Sequence, residues 1–364
     1  MIRPSAPPDA GTDGPPRPWQ AGFELELLAP PGSSRAALAA ALAARIGGRV
    51  RRVFHEESEP SKVEGTPIFR TLTLGFDVVT GAGAPFVRCV DDLTLRADLD
   101  AKATPRAGWY RIVSDDARLL HLVEGHCDPE LALEEVLRPL ARLFGTRPEG
   151  SSAGMIRVRD RLGNPVALGA PLPGERERPC EVVTRPLTGD RAQTLALVVD
   201  VAVALGFTIP REAALHVHFD GAALRDARVF RRLVEVFGRY GADLRAHVRT
   251  NPACRRLGAW PEALARVVRA PDFAALAWPA AQARLRPLGL TKYCDFNLRN
   301  LIHDHPDKPT FEVRIFPAAL SAAALLASAA LIEALLRWCV ATAAEEGPPT
   351  RPFAALLEEL EVVA

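Results

Sequence analysis

Alternating apolar and polar positions predict several strands along the chain. Residues 21–29 (AGFELELLA), 214–220 (ALHVHFD) and 310–316 (TFEVRIF) follow the period of two that places neighbouring side chains on opposite faces of a strand. Residues 66–125 contain three further runs, PIFRTLTLGFDVVT, PFVRCVDDLTLRADL and WYRIVSDDARLLHLV, and another run, CEVVTRPL, begins at Cys180. We expect all of these runs to form strands, because they are rich in β-branched and aromatic residues and are separated by Gly, Pro and Ala.

Helical spacing predicts the remaining elements. A first helix begins after Ser34 and ends before Gly47-Gly48, and a long helix lies near the C-terminus. Residues 145–179 are rich in Gly, Pro and Arg and predict a mostly irregular segment with one hairpin around Leu162-Gly163-Asn164. Without a fixed-period repeat, this mixture predicts an α+β or α/β domain with a substantial antiparallel sheet. Other predicted helices span about Glu130 to Phe144, Arg191 to Gly206 and Ala227 to Tyr240.

Composition narrows the class of protein. The chain has 364 residues, 48% of them hydrophobic, which is enough for one large or two ordinary domains. Lysine and arginine total 45 against 44 acidic residues, so no overall field selects nucleic acid or an anionic membrane as partner. The cysteines occur singly, without a C-x-x-C pair, and predict reduced thiols rather than a zinc knuckle or a disulfide framework.

Two segments of unusual composition indicate where in the cell the protein is located. Residues 1–18 are rich in Pro, Gly and Asp and lack an apolar stretch that could act as a signal peptide, which predicts a disordered tail and a cytoplasmic protein. The most apolar segment, Ala318 to Ile332, covers 15 residues before Glu333 and Arg337 interrupt it. Since a membrane span needs roughly 20 residues, we expect a buried alanine-rich helix there and no membrane partner.

Three of the predicted strands share one design. Each places two ionisable side chains at positions i and i+2, and therefore on one face, with apolar side chains on the other. Two carboxylates so close repel each other unless water or a cation lies between them, and a divalent cation is the natural remedy. Carboxylate oxygens with one imidazole suit magnesium or manganese. The pairs are Glu24 and Glu26, His216 and His218, and Glu312 and Arg314.

Each pair alone has an ordinary structural interpretation. An isolated E-x-E is most often a solvated face, an H-x-H is structural more often than not, and an E-x-R is mostly a local ion pair. The occurrence of all three in one chain of unexceptional charge favours a metal-dependent site.

Together with two further segments, these strands resemble a known family. GFELEL, EVVTRPL, LHVHF, KYCDFNL and TFEVRIF occur in the order of the corresponding motifs of the amidoligases, a branch of the glutamine synthetase and glutamate-cysteine ligase superfamily. The resemblance covers residues 19–30 and most of 180–340. It implies a curved, largely antiparallel sheet forming an open funnel, with helices on its outer face. Residues 19–364 would then be a single catalytic domain with an insertion at about 50–180.

The resemblance also implies roles for individual residues. Glu24 and Glu26 would bind two neighbouring metal ions, with His216 and Glu312 sharing the first ion and Glu181 joining the second; we include His218 among the candidate ligands. Arg314 would stabilise a phosphoryl group during its transfer. The residues expected to contact ATP or the substrate carboxylate are Lys292, Arg249, Asn297 and Arg299.

The implied reaction is an ATP-dependent ligation of a carboxylate to an amine, on small-molecule or peptide substrates. ATP with Mg²⁺ or Mn²⁺ would convert the carboxylate to an acyl phosphate, from which the amine displaces phosphate. The chain departs from the family pattern between residues 50 and 180, where several acidic residues compete to complete the metal site. Three segments compete for this role: Asp92 to Leu95, SDDARLL at 114–120 and RDRLGN at 159–164. The candidates for the base that accepts the amine proton are Asp92, Asp115 and Asp116, of which we favour Asp92 and Asp116 as catalytic.

Two other function classes could use the same residues, whereas motifs for several further classes are absent. No P-loop or dinucleotide fingerprint occurs, and the arginine clusters lack the interleaved aromatic residues of a nucleic-acid surface. A zinc hydrolase could use His216, His218 and Glu312 as ligands with Glu24 as base. A non-catalytic member of the fold would bind a peptide or metabolite without metal. Exposed sheet edges would allow a homo-oligomer.

Overall fold

The computed structural model describes residues 18–58, 70–254, 256–305 and 308–360. The predicted disordered tail therefore lies, except for its last residue, outside the described residues. The strands are β1 (Ala21–Leu28), β2 (Arg49–Ser58), β3 (Arg70–Val79), β4 (Pro85–Val90), β5 (Tyr110–Ser114), β6 (Glu149–Gly150), β7 (Ile156–Arg159), β8 (Pro165–Pro171), β9 (Pro179–Thr184), β10 (Ala214–Asp220), β11 (Phe296–Asn297) and β12 (Thr310–Pro317).

All twelve strands belong to one open antiparallel sheet. The strand order is β11-β12-β10-β1-β9-β4-β3-β5-β8-β7-β6. β4 and β5 share one edge of β3, and β2 pairs with the full length of its other edge. The first strand of the chain thus lies near the middle, between two strands that follow it by more than 150 residues. The protein is a mixed α+β structure, as the sequence predicts.

The helices contribute to a core on the apolar face of this sheet. They are α1 (Arg35–Arg45), α2 (Ala117–His126), α3 (Leu133–Val136), α4 (Arg138–Leu143), α5 (Arg191–Ala204), α6 (Ala227–His247), α7 (Glu262–Val268), α8 (Trp278–Leu285), α9 (Arg299–Ile302), α10 (Ala322–Ala341) and α11 (Phe353–Glu359). Phe23, Leu25 and Leu27 of β1 join the helices in one buried cluster. On α6, Phe237 packs edge-on against Phe311 of β12, with ring centroids 5.1 Å apart. Alternation leaves the opposite face of these strands to their ionisable residues.

The sequence prediction was wrong in four places between residues 49 and 179. The run predicted as a strand over 85–99 is a strand only to Val90. β2 was not predicted, because its RVRRVFHEES sequence has few apolar residues. The run predicted as a strand over 109–123 is a strand only to Ser114; Asp116 then caps α2 by accepting a hydrogen bond from the Arg118 backbone N–H. The segment 145–179 contains β6, β7 and β8 rather than mostly irregular chain, although the hairpin at 162–164 is confirmed.

α10 is the only helix among the described ranges that is long and apolar enough to cross a membrane. Such a helix is weak support for a span, since the core helix of a soluble protein has the same length and composition. α10 packs against α5 and α6, and it buries Leu325, Ile332 and Leu336. Its Glu333 is bound by Arg191 of α5 at 2.9 Å and by Arg337 at 2.7 Å. These contacts agree with the predicted buried helix.

Candidate active site

Strand register brings the three ionisable pairs onto one patch of the sheet. Glu24 of β1 lies opposite His216 of β10, and His218 lies opposite Glu312 of β12. The Nδ1 atom of His216 is 3.4 Å from Glu24 Oε2 and 3.9 Å from Glu312 Oε1. The Nε2 atom of His218 is 3.0 Å from Glu24 Oε1. We call Glu24, His216, His218 and Glu312 the Glu24 half of the site.

A second group of carboxylates lies on the other side of Glu24. Glu26 is directly opposite Glu181 of β9, and Val90 at the end of β4 is the next partner of Glu181. Asp92 follows two residues later, and its carboxylate contacts that of Glu26. The Ala214 backbone N–H donates to Glu26 Oε2 at 2.7 Å. We call Glu26, Glu181 and Asp92 the Glu26 half. Asp92 therefore lies at the site although it is far from Glu181 in the sequence.

The Glu24 half is compensated by positive charge. Burial would raise the pKa of Glu24, but His218, His216 and Lys308 outweigh it and hold the pKa well below its usual value. In the same way, Arg314 and His218 overcome the burial of Glu312 and lower its pKa to about 2. Both carboxylates of this half are therefore ionised at neutral pH.

The Glu26 half lacks comparable compensation. Burial, and then the neighbouring Asp92 charge, raise the pKa of Glu26 well above its usual value. Burial and the charges of Glu24, Asp92 and Glu26 do the same to the pKa of Glu181. Asp92 differs, because hydrogen bonds from Thr94 outweigh its burial and lower its pKa. Glu26 and Glu181 therefore tend to retain protons, because their surroundings do not stabilise three carboxylate charges together.

The two histidines have different environments. Burial, and then Arg314, lower the pKa of His216, so that its imidazole is neutral and able to act as a ligand. For His218, Glu24 and Glu312 outweigh burial and raise the pKa. His218 Nδ1 is 3.2 Å from Thr310 Oγ1, whereas its buried Nε2 is close to Glu24 without the geometry of a hydrogen bond.

Two further side chains fix Glu312. Arg314 Nη1 donates to Glu312 Oε1 at 2.5 Å, and Asn297 Nδ2 donates to Oε2 at 2.7 Å. The Arg314 side chain is 11% exposed; burial would lower its pKa, but Glu312, Glu24 and Glu26 raise it. Asn297, which the sequence assigns to cofactor contact, here supports a carboxylate of the cluster.

Lys308 was missed by the sequence prediction. Its ammonium group is 3.5 Å from Glu24 Oε1, and the nearby carboxylate raises the pKa of this lysine. The side chain is half-exposed and lines a cavity of about 250 Å³ that also contacts Gly22, His218, Asp220 and Thr310. The cavity thus begins at the Glu24 half of the site. The ammonium group of Lys308 borders it on a long, flexible side chain.

Four other predicted residues are exposed or are bound by residues outside the two halves of the site. Lys292 is exposed with its ammonium 5.6 Å from the Tyr293 ring centroid, Arg249 is exposed just after α6 and Arg299 is exposed in α9. Asp116 caps α2 and is bound by Arg118 at 2.6 Å. Within the part of the chain that the structure describes, no hydrogen bond or ion pair joins these four residues to the cluster.

A second group of metal-binding residue types, Glu56, His121 and Glu124, lies between β2 and α2. His121 and Glu124 are exposed, and Glu56 is already bound by Arg70 at 2.5 Å. This group therefore has an ordinary explanation as a surface ion-pair network.

The comparisons with known proteins agree with the geometry. A family model described as "Putative amidoligase enzyme" matches residues 17–336, which include every strand of the sheet. Searches of curated proteins and of solved structures found no match. Because the family model covers most of the chain, this protein belongs to the amidoligase family.

Proposed function

We propose that the protein is an ATP-dependent carboxylate-amine ligase that forms an amide or isopeptide bond through an acyl phosphate. The observation that carries this proposal is the meeting of Glu24, His216 and Glu312, whose ligand atoms all lie within 4.8 Å of one another, beside Arg314. Family membership supports ligase chemistry, and the site supplies the groups that a phosphoryl transfer requires.

The residues present fit a pair of divalent cations. Hard oxygen ligands dominate the cluster, as magnesium and manganese prefer, and the neutral His216 supplies one nitrogen. The raised pKa values of Glu26 and Glu181 express a charge imbalance that a cation would relieve. We propose that Glu24, His216 and Glu312 hold one ion, with His218 beside them, and that Glu26, Glu181 and Asp92 hold the other.

Bound ions would neutralise part of the negative charge on the ATP phosphates. In the first step, a carboxylate oxygen of the acid attacks the γ-phosphorus of ATP, and ADP leaves. Arg314, which is held against Glu312, would stabilise the negative charge that this transfer develops. In the second step, the amine nitrogen attacks the acyl carbon, phosphate leaves, and the amine gives up a proton. Of the acidic residues suggested for that proton, Asp92 is the one that contacts the cluster.

The cavity beside Lys308 suits the phosphate-bearing substrate. It adjoins Glu24 and carries an ammonium group that can approach anionic oxygens. We propose that ATP occupies this end and that the acid and amine approach from the Asp92 end. The ionisable face would then be the inside of a funnel resembling that of glutamine synthetase. Use of ATP also fits a cytoplasmic location.

Calorimetric titration of ATP into the full-length protein tests the proposal. We expect binding with Mg²⁺ that EDTA abolishes, and loss of binding in Glu24→Gln and Glu312→Gln. Glu124→Gln is the matched control, since it removes an exposed carboxylate from the other acidic group and should bind ATP normally.

The alternative function is that of a zinc hydrolase. Both histidines lie within 4 Å of Glu24, as such a site would need. Tight Zn²⁺ uptake that is lost in His216→Ala, without any binding of ATP, would establish that alternative and reject the ligase.

A further inference from the structure

The loop after β4 carries the Asp92 carboxylate into the Glu26 half of the site. Asp91 to Leu95 leave the sheet without regular structure, yet the Asp92 carboxylate contacts Glu26 and lies close to Glu181. Contacts on the loop itself, from Thr94 and Arg176, hold Asp92 in this position.

Arg176 binds this loop at three points. Its Nη1 donates to the Leu95 carbonyl at 2.6 Å, and its Nη2 donates to the Asp92 carbonyl at 2.7 Å and to the Asp91 carboxylate. The Arg176 side chain is 12% exposed and the Asp91 side chain is fully buried. Since Arg176 lies between β8 and β9, one guanidinium joins two segments more than 80 residues apart.

The surroundings of Arg176 and Asp92 restrict the loop further. Arg35 Nη1 donates to the Arg176 carbonyl at 2.6 Å, which fixes the backbone that carries the guanidinium. Glu57 Oε2 accepts a hydrogen bond from the Leu93 N–H at 2.8 Å. Asp92 Oδ1 accepts from both the backbone N–H and the hydroxyl of Thr94, each at 2.7 Å. The loop is thus built around the orientation of a single carboxylate.

We propose that Arg176 is a positioning residue of the Glu26 half, holding Asp92 where it can share a cation with Glu26 and Glu181. This inference rests on the proposed function, because it presumes that the cluster binds metal. The planar guanidinium serves three acceptors in a fixed geometry that a lysine cannot reproduce. Residues that orient metal ligands typically contribute about 10–100-fold to metal affinity.

Binding of Mn²⁺ to the full-length protein, without ATP, separates the two halves. Free Mn²⁺ is measured by electron paramagnetic resonance in the unsubstituted protein and in two reference variants. Asp92→Asn identifies the Mn²⁺ site of the Glu26 half, and Glu24→Gln identifies that of the Glu24 half. Arg176→Lys should weaken only the site that Asp92→Asn weakens, by about 10–100-fold. Combining Arg176→Lys with Asp92→Asn should add almost nothing, because Arg176 acts through Asp92.

Arg178→Lys is the matched control. It alters a buried arginine of the same segment, whose Nε donates to the Ala29 carbonyl at 2.9 Å rather than to the Asp92 loop. Both Mn²⁺ sites should keep their affinity. Thermal unfolding of each variant shows whether a loss of binding reflects a loss of folded protein.

Thr94→Val keeps the proposal testable if Arg176→Lys does not fold. It removes the hydroxyl contact to Asp92 and should weaken the same Mn²⁺ site several-fold. Three results would overturn the inference. They are equal weakening of both Mn²⁺ sites in Arg176→Lys, additive losses of Mn²⁺ affinity in the double variant, and unchanged Mn²⁺ binding in Thr94→Val. Absence of any Mn²⁺ binding by the unsubstituted protein would instead overturn the proposed function itself, and this inference with it.

Discussion

The two halves of the candidate site contain similar carboxylates in opposite electrostatic states. In the Glu24 half, His218, Lys308 and Arg314 lower the pKa values of Glu24 and Glu312. In the Glu26 half, burial and mutual repulsion raise the pKa values of Glu26 and Glu181. The protein itself stabilises one half in the ionised form, whereas the proposed cation would be needed to ionise the other half fully. Cation binding should therefore release protons from the Glu26 half.

The largest expected effect comes from removing the arginine of the compensated half. Arg314→Met should lower kcat/KM for ligation by about 1000-fold. A positively charged side chain next to the transferring phosphoryl group stabilises the transition state by several kcal/mol. Phosphate release is measured with the acid and amine that a substrate screen identifies. Mn²⁺ binding at the Glu26 half should remain, and its simultaneous loss would show that the halves are not separable.

The Glu26 half should lower the stability of the folded protein at high pH. The pKa of Glu181 is raised on folding, so its stabilising contribution is present below the unfolded value of about 4.3 and is lost as pH rises through the folded value. In EDTA at pH 8, Glu181→Gln should therefore raise Tm by about 2 °C, with a smaller gain near pH 5. A lower Tm at pH 8 would contradict the charge imbalance.

The Glu24 half should show the opposite sign. The pKa of Glu24 is lowered on folding, so its contribution is present above about 4.3 and is lost as pH falls through the folded value. Glu24→Gln should lower Tm in EDTA at pH 8, because His218 and Lys308 lose their partner, and the difference should shrink toward pH 4. Scanning calorimetry of the two glutamine variants side by side tests whether the halves differ in sign.

Lys308 and Lys292 give a matched pair of smaller effects. Lys308→Met should weaken ATP binding by about 5–10-fold, a modest value because the side chain is half-exposed and solvent screens its charge. Lys292→Met removes an exposed lysine that forms no ion pair with the cluster in the described part of the chain, and it should change affinity less than about 2-fold. Calorimetric titration with Mg²⁺ measures both, and a larger effect at Lys292 would favour the sequence assignment over the geometric one.

The smallest effect is expected at Asp116. Asp116→Asn retains a good helix N-cap and changes a side chain that is bound by Arg118 outside the cluster. Activity should stay within about 2-fold of the unsubstituted protein, while Asp92→Asn reduces it strongly. A comparable loss in both variants would bring α2 into the catalytic machinery.

The centre of the sheet could be predicted because its pattern is local. Alternation alone identifies β1, β10 and β12, and it also shows that Glu24 and Glu26, or His216 and His218, face one way. The pairing of these strands does not follow from alternation. It is set by register between segments that lie far apart, and only the order of motifs in the family indicated it.

The region from β2 to β8 was harder to predict because polar residues are buried there. His55 and Glu57 of β2 are partly buried near charged groups such as Arg88 and Asp91, so the strand does not show the apolar alternation of a half-buried sheet. Arg176 and Lys308 have no sequence pattern that marks them. Their importance comes from contacts across the fold, with Asp91 in one case and Glu24 in the other.

The central position of β1 has a consequence for biosynthesis. β1 is made early, but its neighbours β9 and β10 and the next strand, β12, follow after more than 150, 180 and 280 residues. Such non-local pairing slows folding and leaves strand edges exposed in the meantime. A ribosome-bound chain cannot assemble Glu24, His216 and Glu312 until nearly all of the matched family region has emerged. The growing chain is therefore expected to depend on chaperones until β12 completes the sheet.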